Sequence, residues 1–345
     1  MVTFLPSRPG RLADVPSFDR SIGGAESNVA CALAAAGHRA RWVGRVGTDG
    51  FGDHLIREIA AHGVDTSRVG RDPDRPTGVY FRTATDRSTD AHEVVYYRRG
   101  SAASAMSPAT VPAAALAGTR VLHLSGITAA LSDDCLALMR RLTARRPGRP
   151  LVSFDVNHRP GLWRVPGGGR ILLDLARGAD LVFVGEDEAA DAWGVEGAEA
   201  IRAALPEPAA VVVKRGADGA VEYARTGFGT APLTGVYDGA TDTTDTAGTV
   251  TGEPAPVVEI AAPVGAGDAF AAGYLSALLR ALPARDRLRH GHLMAAAALT
   301  VPGDVAVPPA TGHADRLAAL ADDAWGTLRL GPGWTTAGEE EGHAP

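Results

Sequence analysis

Leu181-Val182-Phe183-Val184 is a short apolar run that passes directly into the acidic, helix-patterned stretch Glu186 to Trp193. A run of this kind, with no polar residue breaking it, reads as a strand buried on both faces. The pattern recurs on either side. Val121-Leu122-His123-Leu124, Leu151-Val152-Ser153-Phe154 and Val211-Val212-Val213 are further apolar runs. Helical stretches separate them: 132–146, with Ser132 as N-cap and a basic turn before Pro147, and 169–177. The alternation predicts an α/β fold with a mainly parallel sheet and right-handed crossovers. Ligands of such sheets gather at the C-terminal ends of the strands.

The N-terminal side reads differently. Residues 77–83 and 93–98 are two strand-like runs joined by a polar loop, and they predict antiparallel strands of a small side sheet. A lid over a site and a structural edge hairpin both fit. Residues 226–256 are rich in Thr, Gly and Asp without an apolar period, which predicts a long mobile loop. Residues 331–345 read as a disordered tail, leaving a single domain over 1–330. No internal repeat is present.

At 345 residues, 45% apolar and 21% charged, the chain has the composition of a globular protein with a sizeable core. A net charge of -6 argues against a nucleic-acid partner. Two cysteines, Cys31 and Cys135, exclude a disulfide framework and suit buried thiols in a reducing compartment. No signal-peptide pattern opens the sequence, and the apolar stretch 293–301 is far too short to span a bilayer. A soluble, cytoplasmic protein without a membrane partner is expected.

Two glycine-rich stretches carry chemistry. In Pro263-Val264-Gly265-Ala266-Gly267-Asp268-Ala269-Phe270 a glycine turn feeds a helix whose apolar spacing continues through Tyr274, Ala277 and Leu278. Such a turn offers backbone N–H groups and the positive end of a helix dipole, which favour phosphoryl charge. An aspartate beside it can accept the proton of an attacking hydroxyl. An ordinary glycine turn with Asp268 serving the helix terminus fits the same residues. In Ile22-Gly23-Gly24-Ala25-Glu26-Ser27-Asn28-Val29-Ala30 a glycine pair again precedes a helix, and Asn28 offers a donor and an acceptor to hydroxyl groups. A tight turn and helix start is the plainer reading.

Together, GGAESNVA and PVGAGDAF resemble the two signatures of the PfkB (ribokinase-like) carbohydrate kinases, and the resemblance extends from residue 1 to about 320. It implies a ribokinase-like, Rossmann-type sheet with a small β-sheet lid (strands at about 76–99 and part of 1–22), and ATP and Mg²⁺ as co-substrates. It makes Asp268 the base and the backbone of Gly265, Ala266 and Gly267 the anion hole, with Gly23, Gly24 and Asn28 against the substrate. Lys214, Gly216 and Gly219, after the strand at 211–213, resemble the turn beside the nucleotide phosphates, where a simple hairpin also fits. Glu188 matches the Glu of an Asn-x-x-Glu motif that organises the metal, indirectly through water.

Within the family, Glu26 and the segments 75–80, 96–102, 154–160 and 301–304 resemble 2-keto-3-deoxygluconate kinases. Strand alternation puts Tyr96 and Arg98 on one face and Tyr97 on the other. Arg98 and Arg159 suit a substrate carboxylate, and Tyr80 and Tyr96 suit its carbon chain. The expected reaction is phosphorylation of 2-keto-3-deoxygluconate at its 6-hydroxyl. Fructokinase, another sugar kinase, or a non-catalytic sensor on the same fold are the alternatives. The partners are then a sugar or sugar acid and ATP. The resemblance leaves open a monovalent cation and a homo-oligomer formed through the lid, in which Val79, Phe81 and Val95 face either a partner or the main domain.

Three departures stand out. Gly185 replaces the Asn of Asn-x-x-Glu, and Ala262 replaces an acidic residue before the GAGD run. Both bear on the nucleotide and metal side. The segment 1–6 resembles one that lies after a first buried strand in related kinases, so the expected start lies roughly 10–20 residues upstream.

Overall fold

A computed structural model of the chain describes residues 1–8, 10–83, 93–163, 167–233, 248–262, 264–303 and 305–336. The chain divides into two compact units. One comprises Met1–Ala105, Pro256–Gly273 and His290–Pro345, the other Met106–Ala255 and Tyr274–Arg289.

In the first unit, β1 (Val2–Pro6) runs antiparallel to β2 (Phe18–Ile22), with Val2 opposite Ile22. β3 (Arg45–Gly47) and β4 (Gly70–Asp72) form a separate parallel pair. β5 (Val79–Arg82) lies parallel to β1 and antiparallel to β6 (Val94–Tyr97), which completes a four-stranded sheet in the order β2-β1-β5-β6. The two runs at 77–83 and 93–98 are thus paired strands, as their alternation requires. One face carries Val2, Phe4, Val79 and Phe81, the other Thr3, Tyr80 and Tyr96. The first face packs on α1 (Ala25–Ala35) and α2 (Gly50–Ala61) through a core of Val2, Ile22, Cys31, Leu55 and Ile59. Val79 packs against that cluster, so it faces its own unit's core. Phe81 stacks on Phe4 at 4.6 Å and meets the edge of Tyr97.

The second unit is built on six strands: β7 (Val121–Ser125), β8 (Leu151–Asp155), β9 (Leu181–Gly185), β10 (Ala210–Lys214), β11 (Ala220–Arg225) and β12 (Gly248–Glu253). Their order is β12-β11-β10-β9-β8-β7. β7 to β10 are parallel, and β11 and β12 add antiparallel strands at one edge. Every residue of β8 and β9 is buried, as expected of the unbroken apolar run of β9 and the largely apolar run of β8, which Ser153 interrupts. Helices α3 (Gly126–Ala129), α4 (Asp133–Thr143), α5 (Gly168–Gly178), α6 (Glu186–Trp193) and α7 (Ala198–Ala204) fill the connections. α4 illustrates the local logic. Ser132 Oγ accepts from the Cys135 N–H at 3.1 Å, Asp133 and Asp134 occupy the first turn, and Arg140 and Arg141 the last. Cys135, Leu138, Met139 and Leu142 form its buried stripe.

The segment read as a loop over 226–256 contains β12, a correction with a simple cause. β12 is an edge strand, mostly exposed, and its Gly-Thr-Val-Thr-Gly-Glu sequence has no apolar alternation to announce it. Residues 234–247 of that segment lie outside the described residues.

β13 (Val257–Val258) pairs with β14 (Arg329–Leu330) in the first unit. Between them, α8 (Ala266–Leu279) and α9 (Ala284–Leu299) contribute residues to both units, and α10 (Thr311–Ala318) and α11 (Asp322–Gly326) follow. Leu293, Ala297, Trp325, Leu330 and Trp334 form one buried cluster. The first part of the stretch read as a tail, 331–336, therefore carries a residue of this core. Trp334 is only 8% exposed, because a large indole gains more from burial than a terminal turn costs to order. Residues 337–345 lie outside the described residues. Cys31 and Cys135 are free and buried, and burial pushes the Cys31 thiol up to about 12. Among the described residues no helix is long and apolar enough to cross a membrane.

In β7, His123 Nδ1 lies 3.0 Å from Ser153 Oγ. Burial, with the Lys214 ammonium as a second cause, holds the imidazole pKa down at about 3. An unfolded histidine titrates near 6.5. Between these values the unfolded chain binds the additional proton, so the stabilisation is complete above about pH 6.5 and is lost as pH falls toward 3. The expected outcome is that His123→Gln flattens this acid limb. In urea unfolding, the wild type should lose up to about 2 kcal/mol more than the variant between pH 7.5 and pH 5.

Candidate active site

In the first unit the glycine pair sits where β2 turns into α1. The Gly23 N–H donates to Met1 O at 3.0 Å and the Met1 ammonium donates to Gly23 O at 2.7 Å, which extends the β1–β2 ladder by one pair. Gly24 has φ +146°, and a Cβ there would lie 3.0 Å from Ser27 Oγ, so a side chain would be strained on both counts. This turn starts α1 and sends Asn28 inward, 6% exposed. Asp268 lies in the first turn of α8, just after Gly265 at φ +79°. The Ala269 N–H donates to Gly265 O at 2.9 Å, so the helix begins at the glycine turn. Its first N–H groups are those an α-helix leaves without internal acceptors.

The two glycine motifs meet through side chains. Asn28 Nδ2 donates to Asp268 Oδ2 at 2.9 Å, joining residues 240 positions apart. Asn28 Oδ1 is buried without a hydrogen-bond partner, a state that costs about 1–3 kcal/mol.

On the other face of the lid sheet, Tyr80 is buried and its ring lies 5.4 Å from that of Tyr96. The Arg98 guanidinium sits 4.6 Å over the Tyr96 ring. Burial lowers the Arg98 pKa, and Tyr96, Glu26 and Tyr80 oppose it. Arg98 Nη1 also approaches Met1 Sδ at 4.0 Å, beside the glycine pair. Gly23, Gly24, Asn28, Tyr80, Tyr96, Arg98 and the Gly265–Asp268 turn thus belong to one unit.

The second unit holds the remaining candidates. Lys214 Nζ, at the end of β10, donates to both Asp155 oxygens at 3.1 and 3.2 Å. Asp155 ends β8 and is 2% exposed. Gly216 (φ +57°) and Gly219 (φ +102°) shape the turn that closes the β10–β11 hairpin, and the Arg215 N–H donates to Gly219 O at 2.8 Å. A Cβ on Gly219 would fall 2.1 Å from Glu253 O. At the end of β9, Glu188 Oε2 accepts from the Gly185 N–H at 2.9 Å, half of a capping box. Glu188 Oε1 lies 3.3 Å from Arg159 Nη1. Arg159 and Glu188, expected at the substrate carboxylate and the metal respectively, are therefore partners of each other.

The pfkB family carbohydrate kinase model matches residues 2–311. The chain belongs to the pfkB family of carbohydrate kinases. This pfkB kinase is 33% identical over 313 residues to a 2-dehydro-3-deoxygluconokinase of Bacillus subtilis, covering 88% of this chain and 89% of the relative. A 2-dehydro-3-deoxygluconokinase of Thermoproteus tenax is 29% identical, covering 90% and 89%. The crystal structure of a PfkB protein from Polaromonas superposes with a TM-score of 0.74 at 33% identity, covering 93% of this chain and 97% of that one. The fold is ribokinase-like, and the kinase is a sugar phosphotransferase that uses ATP with a divalent metal.

The two departures now have local structure. Ala262 is 6% exposed, and its N–H donates to Leu299 O at 3.3 Å. At Gly185 a Cβ would lie 2.5 Å from Asp187 Oδ1 and 3.2 Å from Glu188 Cγ, so the missing side chain leaves the space into which Glu188 folds back. Among the described residues no group of three or more His, Cys, Asp or Glu side chains could cage a metal ion. A single carboxylate with nucleotide phosphates is a donor set that Mg²⁺ accepts, and Glu188 fits that use once Arg159 moves aside.

Reasoning from sequence placed Asp155 only within the matched segment 154–160 and missed that its carboxylate holds Lys214, and it did not see Glu26 as a charge near Arg98. Asp155 carried a signal, as the polar residue ending an otherwise apolar strand. Glu26 carried none beyond its place in the glycine motif.

Arg159 is 54% exposed and Glu188 14% exposed. Solvent screening makes such a pair weak, so Arg159 can exchange Glu188 for a ligand anion at small cost. A double-mutant cycle of Arg159→Ala and Glu188→Gln, read by urea unfolding, is expected to give a coupling of about 0.2–1 kcal/mol.

Proposed function

We propose that this pfkB kinase phosphorylates 2-keto-3-deoxygluconate at its 6-hydroxyl. The single observation that carries the reading is the desolvated Arg98 guanidinium, stacked on Tyr96 beside Tyr80 in the unit that also holds Asp268. A half-buried cation of this kind suits a carboxylate, which a 2-keto acid has and a neutral sugar lacks. The likeness to two 2-dehydro-3-deoxygluconokinases supports the same substrate.

In the proposed reaction Asp268 accepts the proton of the 6-hydroxyl as its oxygen attacks the γ-phosphorus of ATP. The bond from that phosphorus to the bridging oxygen breaks, and ADP leaves. The N–H groups of Gly265, Ala266 and Gly267 take the phosphoryl charge at the start of α8. Gly23 and Gly24 bring backbone close to the sugar acid. Lys214 and the Gly216–Gly219 turn serve the nucleotide phosphates, with Asp155 holding the ammonium until they arrive. Glu188 is the carboxylate that would hold Mg²⁺ beside the phosphates, where the ion would supply neutralisation of their charge.

Asp268→Asn is expected to abolish turnover while ATP binding, measured by calorimetry, stays within about threefold. Arg98→Ala is expected to raise KM for the sugar acid about 10–100-fold, the scale of one charge-assisted hydrogen bond, and to leave the KM of neutral sugars unchanged. The measurement is a coupled ADP assay over a panel of 2-keto-3-deoxygluconate, fructose and ribose. Preference for fructose, indifferent to Arg98→Ala, would make the protein a fructokinase. Sugar binding without ADP formation would make it a sensor.

A further inference from the structure

We propose that Asn157 belongs to the nucleotide and metal site, where its side-chain oxygen accepts from the water shell of Mg²⁺ and supplies the carboxamide that Gly185 lacks. The proposal rests on the reading that the strand ends of the second unit hold the ATP phosphates and the ion. Asn157 stands two residues beyond Asp155, at which β8 stops. The Val156 N–H still donates to Phe183 O of β9 at 3.0 Å, and Arg159 already reaches Glu188 at 3.3 Å. The chain between them therefore crosses the end of β9, where Gly185 lies opposite Lys214 of β10.

Three properties mark Asn157 at that edge. Its φ is +42°, in the left-handed region that a side chain occupies only when its surroundings hold it there. It is 7% exposed. Its Oδ1 is buried without a hydrogen-bond partner. Asparagine tolerates a positive φ better than most residues, so the backbone alone accounts for the first property. It does not account for a buried polar oxygen left unsatisfied, which costs stability at any position. An amide oxygen only accepts, so whatever completes it is a donor. Ionised phosphate oxygens have no hydrogen to give. Mg²⁺ keeps several of its waters when it binds phosphates, and those waters donate. β9 brings no side chain of its own to this edge, because position 185 is glycine. Asn157 carries the same group on the extension of the neighbouring strand.

The test uses the full chain without sugar and reads ATP binding by calorimetry, with saturating Mg²⁺ and again with the metal chelated. Asn157→Gly suits a positive φ and removes the amide. It is expected to weaken ATP about 10–100-fold with Mg²⁺, the scale of an outer partner of a bound metal, and to leave binding within about twofold without it. Its thermal midpoint is expected to hold or rise. Asn157→Asp keeps an acceptor and is expected to retain the Mg²⁺ response within about threefold. Adding Gly185→Asn to Asn157→Gly returns a carboxamide to the same edge and is expected to recover at least about threefold of the loss. The φ of −75° at 185 admits asparagine, and the nearest atoms that must give way belong to the side chains of Asp187 and Glu188. Full Mg²⁺-dependent binding by Asn157→Gly would overturn the proposal in favour of a backbone role. Equal losses with and without Mg²⁺ would overturn it in favour of a direct contact with the nucleotide. No recovery in the double variant would overturn the exchange of roles between positions 157 and 185. Should Asn157→Gly fail to fold, a lost Mg²⁺ response in Asn157→Asp overturns the proposal. Lys214→Gln tests the underlying reading. If it binds ATP as the wild type does, the strand ends do not hold the phosphates and the proposal falls with that reading, whereas a weakened Lys214→Gln beside an unaltered Asn157→Gly overturns the proposal alone.

Discussion

A strand buried on both faces can place its backbone N–H and C=O groups only on neighbouring strands. β8 and β9 are such strands, buried at every residue, and β7 and β10 supply parallel partners in unbroken register. The crossover helices follow from that demand, because parallel neighbours need connections that return the chain to the same end. The strand ends then fall at one edge of the sheet. Asp155 ends β8, Gly185 ends β9 and Lys214 ends β10. The residues free to do chemistry in this unit are those at which the apolar requirement stops.

Much of this was legible. The four apolar runs, the Ser132 cap and the hairpin at Gly216–Gly219 are local features, and local features are written locally. β12 and Trp334 were not legible, for opposite reasons. β12 is polar and exposed, and it is a strand only because β11 offers an edge. Trp334 lies in a stretch of glycine and threonine whose composition outweighed one large side chain, although that side chain finds a core made by α9, α11 and β14.

The site shows the same division. Each glycine turn was readable, since Gly24 and Gly265 are positions where positive φ is required. The hydrogen bond between Asn28 and Asp268 was not, because no spacing rule connects residues so far apart in sequence. Arg159 and Glu188 were assigned separate ligands, while the structure pairs them. Residue types reveal what a group can bind, and only geometry reveals which of its valences are already taken.

Arg287 and Arg289 on α9 are almost completely buried, with Arg287 held by Glu222 and Arg289 bonded to Glu253 at 2.7 Å. Glu222 lies on β11 and Glu253 ends β12. A strand without apolar alternation has little to prevent it sliding by one residue against its neighbour. Here a slip of β12 would carry Glu253 away and take that carboxylate from the buried Arg289 charge, at several kcal/mol. Arg289 acts as a pin that indexes a featureless strand, while Arg287 holds its neighbour β11, so charge does for β12 the work that hydrophobic pattern does for β8 and β9.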